Sequence, residues 1–366
     1  MALIASVTTQ PFRLPMKGEL SWGKSSKLTA LEHVLVRVST DDGHTGVAEA
    51  QPRPTIYGET LESIAAIVKH HLAPKLIGLD VDDRTAVEAA LRSVVNNNTA
   101  RGAVDIALCQ ARARSKGRRL FDTYRGPQER VQVSYLLGIA ELATLLAEAK
   151  EVVASGVRVL KVKVGRDKSH DARVLTALGA EFGAAVILYG DANEALEPKT
   201  AARDLEDYAR LGLAYLDSPL PVEHFRARAA LKAAGILAII ADESCFTVRD
   251  LRRELELDTF DILNVKPART GYSDSLRMLR MAREADRCAM IGSQASSGLG
   301  TLHSAILASR EGVTHPCELS FPLKLASDVM NRKVTFKDGY LEVSDLDGLA
   351  LDEDKLAAAS FDPPPG

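Results

Sequence analysis

Short apolar runs recur along the chain from about residue 133 onward, and polar residues follow nearly every one of them. Successive runs are about 23 to 28 residues apart, and amphipathic segments such as 141–154 and 272–287 fill the gaps. This spacing suits one strand, one helix and two loops, so it predicts eight strands that alternate with helices. The runs are SYLLGIA near residue 136, VRVLKVKVG near 161, AAVILYGDAN near 188, LAYLDSP near 215, ILAIIADES near 240, FDILNVKP near 263, CAMIGSQA near 290 and THPCELS near 317.

Such alternation is typical of a closed barrel of parallel strands, and a doubly wound open sheet is the competing arrangement. The barrel is favoured because polar residues stand at the carboxyl end of nearly every run. In a barrel these ends surround a single site.

The first part of the chain lacks this repeat. Residues 32–49 predict a hairpin, because VLVRV alternates, DDG suits a tight turn and GVAEA returns. Helical patterns follow at 59–77, 82–96 and 99–115, and the turn RGP at 125–127 marks a boundary. Residues 333–347 predict a second hairpin.

Three parts are therefore predicted for this α/β chain. They are an N-terminal α+β capping domain over 1–128, a modified (β/α) barrel over 129–325, and a C-terminal segment over 326–366 that returns to the capping domain.

Composition narrows the class of protein. The formal net charge of the 366 residues is −3, so no strong field of one sign is present to attract nucleic acid or an anionic membrane. The four cysteines have no C-x-x-C spacing, which predicts free thiols in a reducing compartment. No signal peptide and no apolar stretch near the roughly 18 residues of a membrane span are recognised. We therefore expect a cytoplasmic protein with a small-molecule substrate.

Three acids end three successive predicted strands: Asp191, Asp217 and Asp242. Hard carboxylate oxygens without His or Cys favour Mg²⁺ or Mn²⁺ over zinc. The alternative is that these residues cap the following helices, since Asp is common at that position. The polar residues that end the runs are Lys161, Lys163, Asp191, Asn193, Asp217, Asp242, Glu243, Lys266, Ser293, Gln294, Glu318 and Ser320.

Lys161 and Lys163 lie two apart on one strand and must face the same side. Two inward lysines on an apolar strand are costly unless they are paired or used; a solvated edge strand is the alternative. Lys266 ends another strand and is predicted to face Lys163 across the barrel mouth. We expect a neighbouring lysine or metal to lower a lysine's pKa toward neutrality, as a general base requires.

The same residues predict a reaction. Two lysines on opposite sides of one carbon suit a racemase or epimerase, whereas one base and a passive cation suit elimination or cycloisomerisation. A proton alpha to a carboxylate is too weakly acidic for lysine alone, so a metal is needed to stabilise the enediolate.

The runs KVKVG, GDAN, LDSP, ADES, NVKP and GSQASSGLG occur in this order at barrel-like spacing. Together they resemble the muconate-lactonizing subgroup of the enolase superfamily (mandelate racemase/muconate lactonizing enzyme family), most of all dipeptide epimerases and N-acylamino acid racemases. The resemblance implies a (β/α)7β-type TIM barrel with an α+β capping domain. It also implies a homo-oligomer and a bound Mg²⁺, with Mn²⁺ possible.

By this resemblance, Lys163 and Lys266 are the acid/base pair, and Lys161 lies near the substrate carboxylate. The implied metal ligands are Asp191, Asp217 and Asp242, which Asn193 and Glu243 orient. The remaining substrate contacts are expected from the capping segments 17–25 and 52–59, through Trp22 and Tyr57, and from the last strands, through Ser293, Gln294, Glu318 and Ser320. For the two aromatic residues, an ordinary structural role is the alternative.

Three positions depart from the family pattern. The second metal ligand is usually Glu, and here it is Asp217 in DSP; the Glu often found in the loop after the seventh strand is matched by Ser296. Dipeptide epimerases often carry Asp-x-Asp after the eighth strand, to hold the substrate ammonium. This chain has Glu318-Leu-Ser320, which keeps only one acid.

The sequence thus predicts a divalent-metal racemase or epimerase that acts on a dipeptide or N-acyl amino acid. The alternatives are a cycloisomerase of the muconate type or an o-succinylbenzoate-synthase-like enzyme and, in a different class, a non-catalytic homologue. The shortened ligand Asp217 favours the last alternative, and the intact lysine pair argues against it.

Overall fold

The computed structural model describes residues 1–22 and 26–362, and the side chains of residues 22 and 26 lie outside this description. An antiparallel sheet opens the chain, in the order β1 (Ile4–Trp22), β2 (Ser26–Thr40) and β3 (Thr45–Ala50). The predicted hairpin at 32–49 is confirmed, because β2 pairs with β3 around the turn that contains Gly43 at φ +85°.

Helices cover this sheet and confirm the three predicted helical regions. The most buried is α4, whose inner face packs on β2 and β3. A π-helical turn at Val68–Leu72 joins the first two helices. The helices are α1 (Leu61–Ile67), α2 (Ala73–Leu76), α3 (Arg84–Arg92), α4 (Asn98–Ser115) and α5 (Leu120–Tyr124).

Gly46 on β3 is the point of closest approach between the first sheet and α4. A methyl group there would lie 1.9 Å from the carbonyl oxygen of Ala107 and 2.7 Å from the nitrogen of Ala111. Both are backbone atoms, so no side-chain rotation relieves the clash. We expect Gly46→Ala to lower the free energy of unfolding by about 3 kcal/mol, which is the upper end of overpacking costs. Urea denaturation measures this change.

The matched control is Gly18→Ala on β1, where an added methyl group meets nothing within 4 Å. That substitution is expected to change the free energy of unfolding by no more than about 0.5 kcal/mol. Equal effects of the two substitutions would show that the contact between β3 and α4 is not tight.

A curled, seven-stranded parallel sheet forms the second part of the chain, with its strands in sequential order. Helices connect successive strands, as the alternation predicts. The strands are β5 (Tyr135–Leu137), β6 (Val159–Lys163), β7 (Ile187–Asp191), β8 (Leu213–Asp217), β9 (Ala238–Ala241), β10 (Ile262–Val265) and β11 (Cys288–Ile291). The helices are α6 (Leu142–Ala154), α7 (Lys168–Phe182), α8 (Ala201–Arg210), α9 (Phe225–Ala233), α10 (Val248–Leu257), α11 (Pro267–Glu284) and α12 (Gly298–Ala308).

The eighth apolar run does not form a regular strand. Residues 313–318 instead make isolated parallel bridges, one between Cys317 and Val133 and one between Val313 and Ala289. The N–H of Cys317 donates to the Gln132 carbonyl (2.8 Å). Proline at position 316 has no N–H to donate, which interrupts the ladder. The prediction of a regular eighth strand is therefore wrong, although this segment bonds to β11 and to residues 132–134, which directly precede β5.

The C-terminal segment returns to the front of the molecule. Strand β12 (Tyr340–Glu342) pairs with β4 (Arg130–Gln132), and α13 (Glu353–Ala359) lies against β1. The predicted hairpin at 333–347 is wrong in extent: only one bridge, between Lys337 and Tyr340, spans its turn, because Tyr340 continues into the pairing with β4. Among the described residues, no helix is both long and apolar enough to cross a membrane.

Candidate active site

The strand ends carry the predicted polar residues. Lys161 and Lys163 lie on β6, Asp191 ends β7 and Asp217 ends β8. Asp242 and Lys266 directly follow β9 and β10. The helix-cap alternative for the three acids is excluded, since Thr200, His224 and Thr247 occupy the N-cap positions of α8, α9 and α10.

One pocket of about 100 Å³ opens at these strand ends, and Leu20, Ile56 and Tyr57 from the first part of the chain also line it. Of the predicted site residues, Asp217 lies below this pocket with no exposed surface, and the side chain of Trp22 lies outside the described part. The others line it: Tyr57, Lys161, Lys163, Asp191, Asn193, Asp242, Glu243, Lys266, Ser293, Gln294, Glu318 and Ser320.

Lys161 is the centre of a buried charge network. Its Nζ donates to Asp217 Oδ2 and to Glu318 Oε1, both at 2.6 Å, and lies 3.0 Å from Asp191 Oδ2. Burial lowers the pKa of Lys161, but attraction to the three carboxylates outweighs it and raises the pKa well above its ordinary value. The lysine is therefore a cation that links β6 to the ends of β7 and β8 and to Glu318.

Lys163 and Asn193 form the next part of the site. The Nζ of Lys163 donates to Asp191 Oδ2 (2.7 Å) and to Asn193 Oδ1 (2.6 Å). The Asn193 amide donates in turn to Glu243 Oε1 (2.8 Å), and its backbone N–H donates to Asp191 Oδ1 (3.0 Å). Asn193 thus links a lysine to two acids, and its role in orienting them stays a prediction.

Lys266 forms an ion pair with Asp242, and Arg269 contacts the second oxygen of the same carboxylate at 2.9 Å. Burial lowers the pKa of Lys266, but Asp242 and Glu318 outweigh this effect and raise it above its ordinary value. The cationic neighbour Arg269 does lower the pKa of Lys266, in the predicted direction, but its effect is outweighed. The nearby carboxylates act more strongly on Lys266 than the neighbouring cations do.

Three carboxylates converge at the base of the site. Oxygens of Asp217, Asp242 and Glu243 lie within 4.8 Å of one another. Burial raises the pKa of Asp217 well above its ordinary value, and repulsion from Asp191, Asp242 and Glu243 raises it further, although Lys161 opposes this. Oε2 of Glu243 is buried and has no hydrogen-bond partner in the part of the chain that the structure describes. Crowded, unsatisfied carboxylate oxygens fit a hard divalent cation.

This convergent group differs from the predicted ligand set. Glu243, predicted to orient the ligands, lies within the group, whereas the carboxylate of Asp191 is held by two lysines. The assignment of Asp191 as a metal ligand stays a prediction.

Hydrogen bonds hold three residues around the mouth of the pocket: Tyr57, Gln294 and Ser293. The Tyr57 hydroxyl accepts from the Gln294 amide (2.6 Å), and the backbone N–H of Ser293 donates to Glu318 Oε2 (2.8 Å). Ser320 lines the pocket, but its hydroxyl donates to the Ser134 carbonyl (2.7 Å). Ser320 is thus already committed to a backbone partner.

Sequence reasoning missed three cations in this region. Arg269 donates to the Tyr57 hydroxyl at 3.1 Å, and Arg53 donates to the carbonyl of Gln294. Burial lowers the pKa of Arg53 to about 10. Lys324, which pairs with Glu148, also lines the pocket. Arg269 stands three residues after Lys266, and Arg53 lies in the capping segment 52–59. Their positions could therefore have indicated a place near the site. Lys324 follows an apolar run, and nothing in the sequence indicated its place.

Several residues after the strands adopt left-handed backbone conformations without being glycine. Asn193 (φ +41°) and Glu194 (φ +62°) follow β7, Ser218 (φ +43°) follows β8 and Ala295 (φ +60°) follows β11. This region favours glycine, so the surrounding contacts must hold these turns against a local cost.

Comparison with known proteins extends these observations. The family model described as enolase C-terminal domain-like matches residues 144–357. The model described as mandelate racemase/muconate lactonizing enzyme, N-terminal domain, matches residues 8–123. Together they span both parts of the fold.

Individual relatives cover nearly the whole chain. An L-Ala-D/L-Glu epimerase of Bacillus subtilis is 28% identical, over 95% of this chain and 94% of the relative. An N-succinyl-L-Arg/Lys racemase of Bacillus cereus is 23% identical, over 96% of both chains. The crystal structure of a muconate lactonizing enzyme from Mucobacterium smegmatis, complexed with muconolactone, has a TM-score of 0.91 and 32% identity, over 98% of this chain and all of that one.

Proposed function

We propose that this chain, which belongs to the mandelate racemase/muconate lactonizing enzyme family of the enolase superfamily, racemises or epimerises a dipeptide or an N-acyl amino acid. The reaction removes and returns a proton alpha to the substrate carboxylate. The supporting observation is that Lys163 on β6 and Lys266 directly after β10 line one pocket beside a cluster of acids. Relatives named as epimerases and racemases, all isomerases, support the same reaction class.

The two lysines have distinct surroundings that suit proton transfer. Lys163 is held by Asp191 and Asn193, and Lys266 by Asp242. A residue that starts as an ammonium donates a proton, and its counterpart must start as a free amine to accept one. In the proposed cycle one lysine removes the α-proton as the other protonates the opposite face. Lys161, a permanent cation, stabilises the charge on the substrate carboxylate.

Enzymes of this family use a divalent metal, and we propose Mg²⁺, with Mn²⁺ as an alternative, held by Asp217 and Asp242 together with Asp191 or Glu243. The oxygen-only donor set supports a hard cation. When bound, the metal supplies positive charge that stabilises the substrate carboxylate as its α-carbon loses the proton. Asn193 keeps Glu243 and Asp191 oriented toward the site.

A second candidate reaction is cycloisomerisation of the muconate type. Glu318 is the single acid of Glu318-Leu-Ser320, and Lys161 and the Ser293 N–H occupy its two oxygens. No second acid stands at position 320 to hold a substrate ammonium. The 32% identity to a muconate lactonizing enzyme points the same way.

The finer organisation is proposed on the same basis. We propose a (β/α)7β-type TIM barrel over 129–325, capped by residues 1–128 with the returning segment 326–366. The bonds of residues 313–318 to β11 and to residues 132–134 before β5, together with the packing of α13 on β1, support this division. A homo-oligomer and a cytoplasmic location remain proposals, the latter supported by four free cysteines.

The test is a library of dipeptides and N-acyl amino acids, offered in D₂O with Mg²⁺ and followed by proton NMR. We expect the α-proton of both configurations of a preferred substrate to exchange with solvent. Chelation with EDTA is expected to stop the exchange and added Mg²⁺ to restore it, because the crowded acids need a cation to hold the substrate.

Muconate serves as the matched alternative substrate, followed by its loss of ultraviolet absorbance. Turnover of muconate without exchange of any amino acid derivative would replace the proposed reaction by cycloisomerisation. Exchange of one configuration alone would indicate a one-base reaction. Absence of both activities in the metal-loaded protein would favour a non-catalytic role.

A further inference from the structure

A second cavity of the described chain lies outside the proposed active site. It has a volume of about 360 Å³ and lies between α3 and α4 of the capping part and α10 and α11 of the barrel part. This volume falls within the range of roughly 300 to 1,000 Å³ that is typical of small-molecule sites. Apolar side chains such as Leu91 and Leu108 alternate with charged ones along its walls.

Arginine dominates the charge of this cavity: eight arginines line it, against three acids. The acids are already engaged. Glu88 and Asp274 pair with Arg92 and Arg277, and Asp105 accepts the backbone N–H groups of residues 272 and 273 (2.6 and 2.9 Å). The cavity therefore carries uncompensated positive charge.

Five of the arginines have no carboxylate partner within 4 Å in ranges 1–22 and 26–362; they are Arg84, Arg101, Arg112, Arg249 and Arg280. Among these five, Arg101 gives the strongest indication of a missing anionic partner. Its Nε is buried and has no hydrogen-bond partner among the described residues, and its Nη1 donates a long hydrogen bond (3.4 Å) to the Asn96 carbonyl. Burial lowers the pKa of Arg101, and the attraction of Asp274, Asp105 and Glu59 does not offset this effect. A buried N–H donor without a partner is costly unless a ligand satisfies it.

Arg269 separates this cavity from the catalytic pocket. Its guanidinium stacks on Phe246, which also lines the cavity, at 4.4 Å from the ring centroid. The same guanidinium contacts Asp242 and Tyr57 on the other side. The arginine cavity, defined by Arg84, Arg101, Arg112, Arg249 and Arg280, is thus distinct from the site proposed for catalysis.

We propose that the arginine cavity is a second ligand site, for a small molecule that carries at least two phosphate or carboxylate groups. The guanidinium fork matches both groups through paired hydrogen bonds. Arg101, Arg249 and Arg280 lie on three different helices, so two separated anionic groups can be held at once.

The test is calorimetric titration of the full chain with two probes at constant ionic strength. Fructose 1,6-bisphosphate represents the phosphate source and tricarballylate the carboxylate source. We expect saturable one-to-one binding of at least one probe. Because charged hydrogen bonds are lost, Arg101→Gln is expected to weaken it roughly tenfold or more. The exposed double variant Arg249→Gln/Arg280→Gln should weaken it similarly, and it decides the test if Arg101→Gln does not fold.

Arg252→Gln is the matched control, because Arg252 is exposed on the same helix as Arg249 but does not line the cavity. It should bind the probes as the unmodified chain does. Absence of saturable binding of either probe at millimolar concentration would overturn the proposal. So would binding that both arginine variants retain and Lys163→Met abolishes, since the anion would then occupy the catalytic pocket.

Discussion

Replacement of Lys163 or Lys266 by alanine is expected to abolish exchange of the substrate α-proton, with a loss of at least about 10²- to 10⁴-fold in rate. Each side chain is the proposed acid or base on its own face of the α-carbon. In each variant, the acid that loses its lysine retains another cationic partner. Asp191 still pairs with Lys161, and Asp242 still pairs with Arg269. Folding and binding of Mg²⁺ should therefore persist in both variants, as measured by circular dichroism and calorimetric titration.

Lys150→Ala is the matched control for the loss of a lysine. Lys150 lies on α6 and pairs with Glu181 at the surface, with 55% of its side chain exposed. Full exchange activity in Lys163→Ala or Lys266→Ala would remove that lysine from the mechanism. Loss of Mg²⁺ binding together with activity would instead assign it a role in holding the acids.

Lys161→Met is expected to lower the free energy of unfolding by about 3–5 kcal/mol, the range found when one partner of a buried ion pair is removed. The side chain of Lys161 is 4% exposed and contacts Asp191, Asp217 and Glu318. Methionine leaves these carboxylates buried without their shared cation, and their pKa values must then rise. Urea denaturation at pH 7 measures the effect.

The pH dependence of this loss has a definite sign. In the unmodified chain the lysines hold the pKa of Asp191 and of Glu318 below the ordinary value, against the effect of burial. Ionisation of these two acids therefore adds stability above their ordinary pKa, and this stability is lost as the pH falls. In Lys161→Met the pKa values of these acids are raised instead. Their ionisation then lowers the stability of the variant as the pH rises. The stability difference between the two chains should thus be smaller at pH 5 than at pH 7.

The surface pair supplies the comparison here as well. Lys150→Met is expected to change the free energy of unfolding by at most about 1 kcal/mol, because exposed ion pairs contribute little. A Lys161→Met variant as stable as Lys150→Met would show that the acids relax or take up protons at little cost. The charge network would then not hold the strand ends together.

The sequence predicts those features of the site that depend on local spacing. The period of two along a strand puts Lys161 and Lys163 on one side, and the structure confirms it through their shared contact with Asp191. The recurrence of apolar runs predicts the parallel strands and their order in the same way. The family was recognisable because its short motifs kept their order.

Features that depend on contacts between distant segments were not predictable. The partner of Lys266 comes from the end of β9, and the opposing pull of carboxylates and cations on its pKa depends on distances that no spacing gives. Likewise, Pro316 interrupts a ladder whose partners lie far away in the chain, and Tyr340 pairs with β4 instead of extending its own hairpin.

The left-handed turns link the thermal stability of this protein to its rate of turnover. They lie at Asn193, Glu194, Ser218 and Ala295. Glycine at such positions relaxes the main chain, and each replacement gains roughly a kilocalorie per mole from that relief. The same replacement makes the backbone more flexible around two peptide groups of the site. They are the N–H of Asn193, which donates to Asp191, and the carbonyl of Gln294, which accepts from Arg53. Variants that survive heating through these four positions should therefore turn over more slowly, while those altered at open sites such as Gly18 should not.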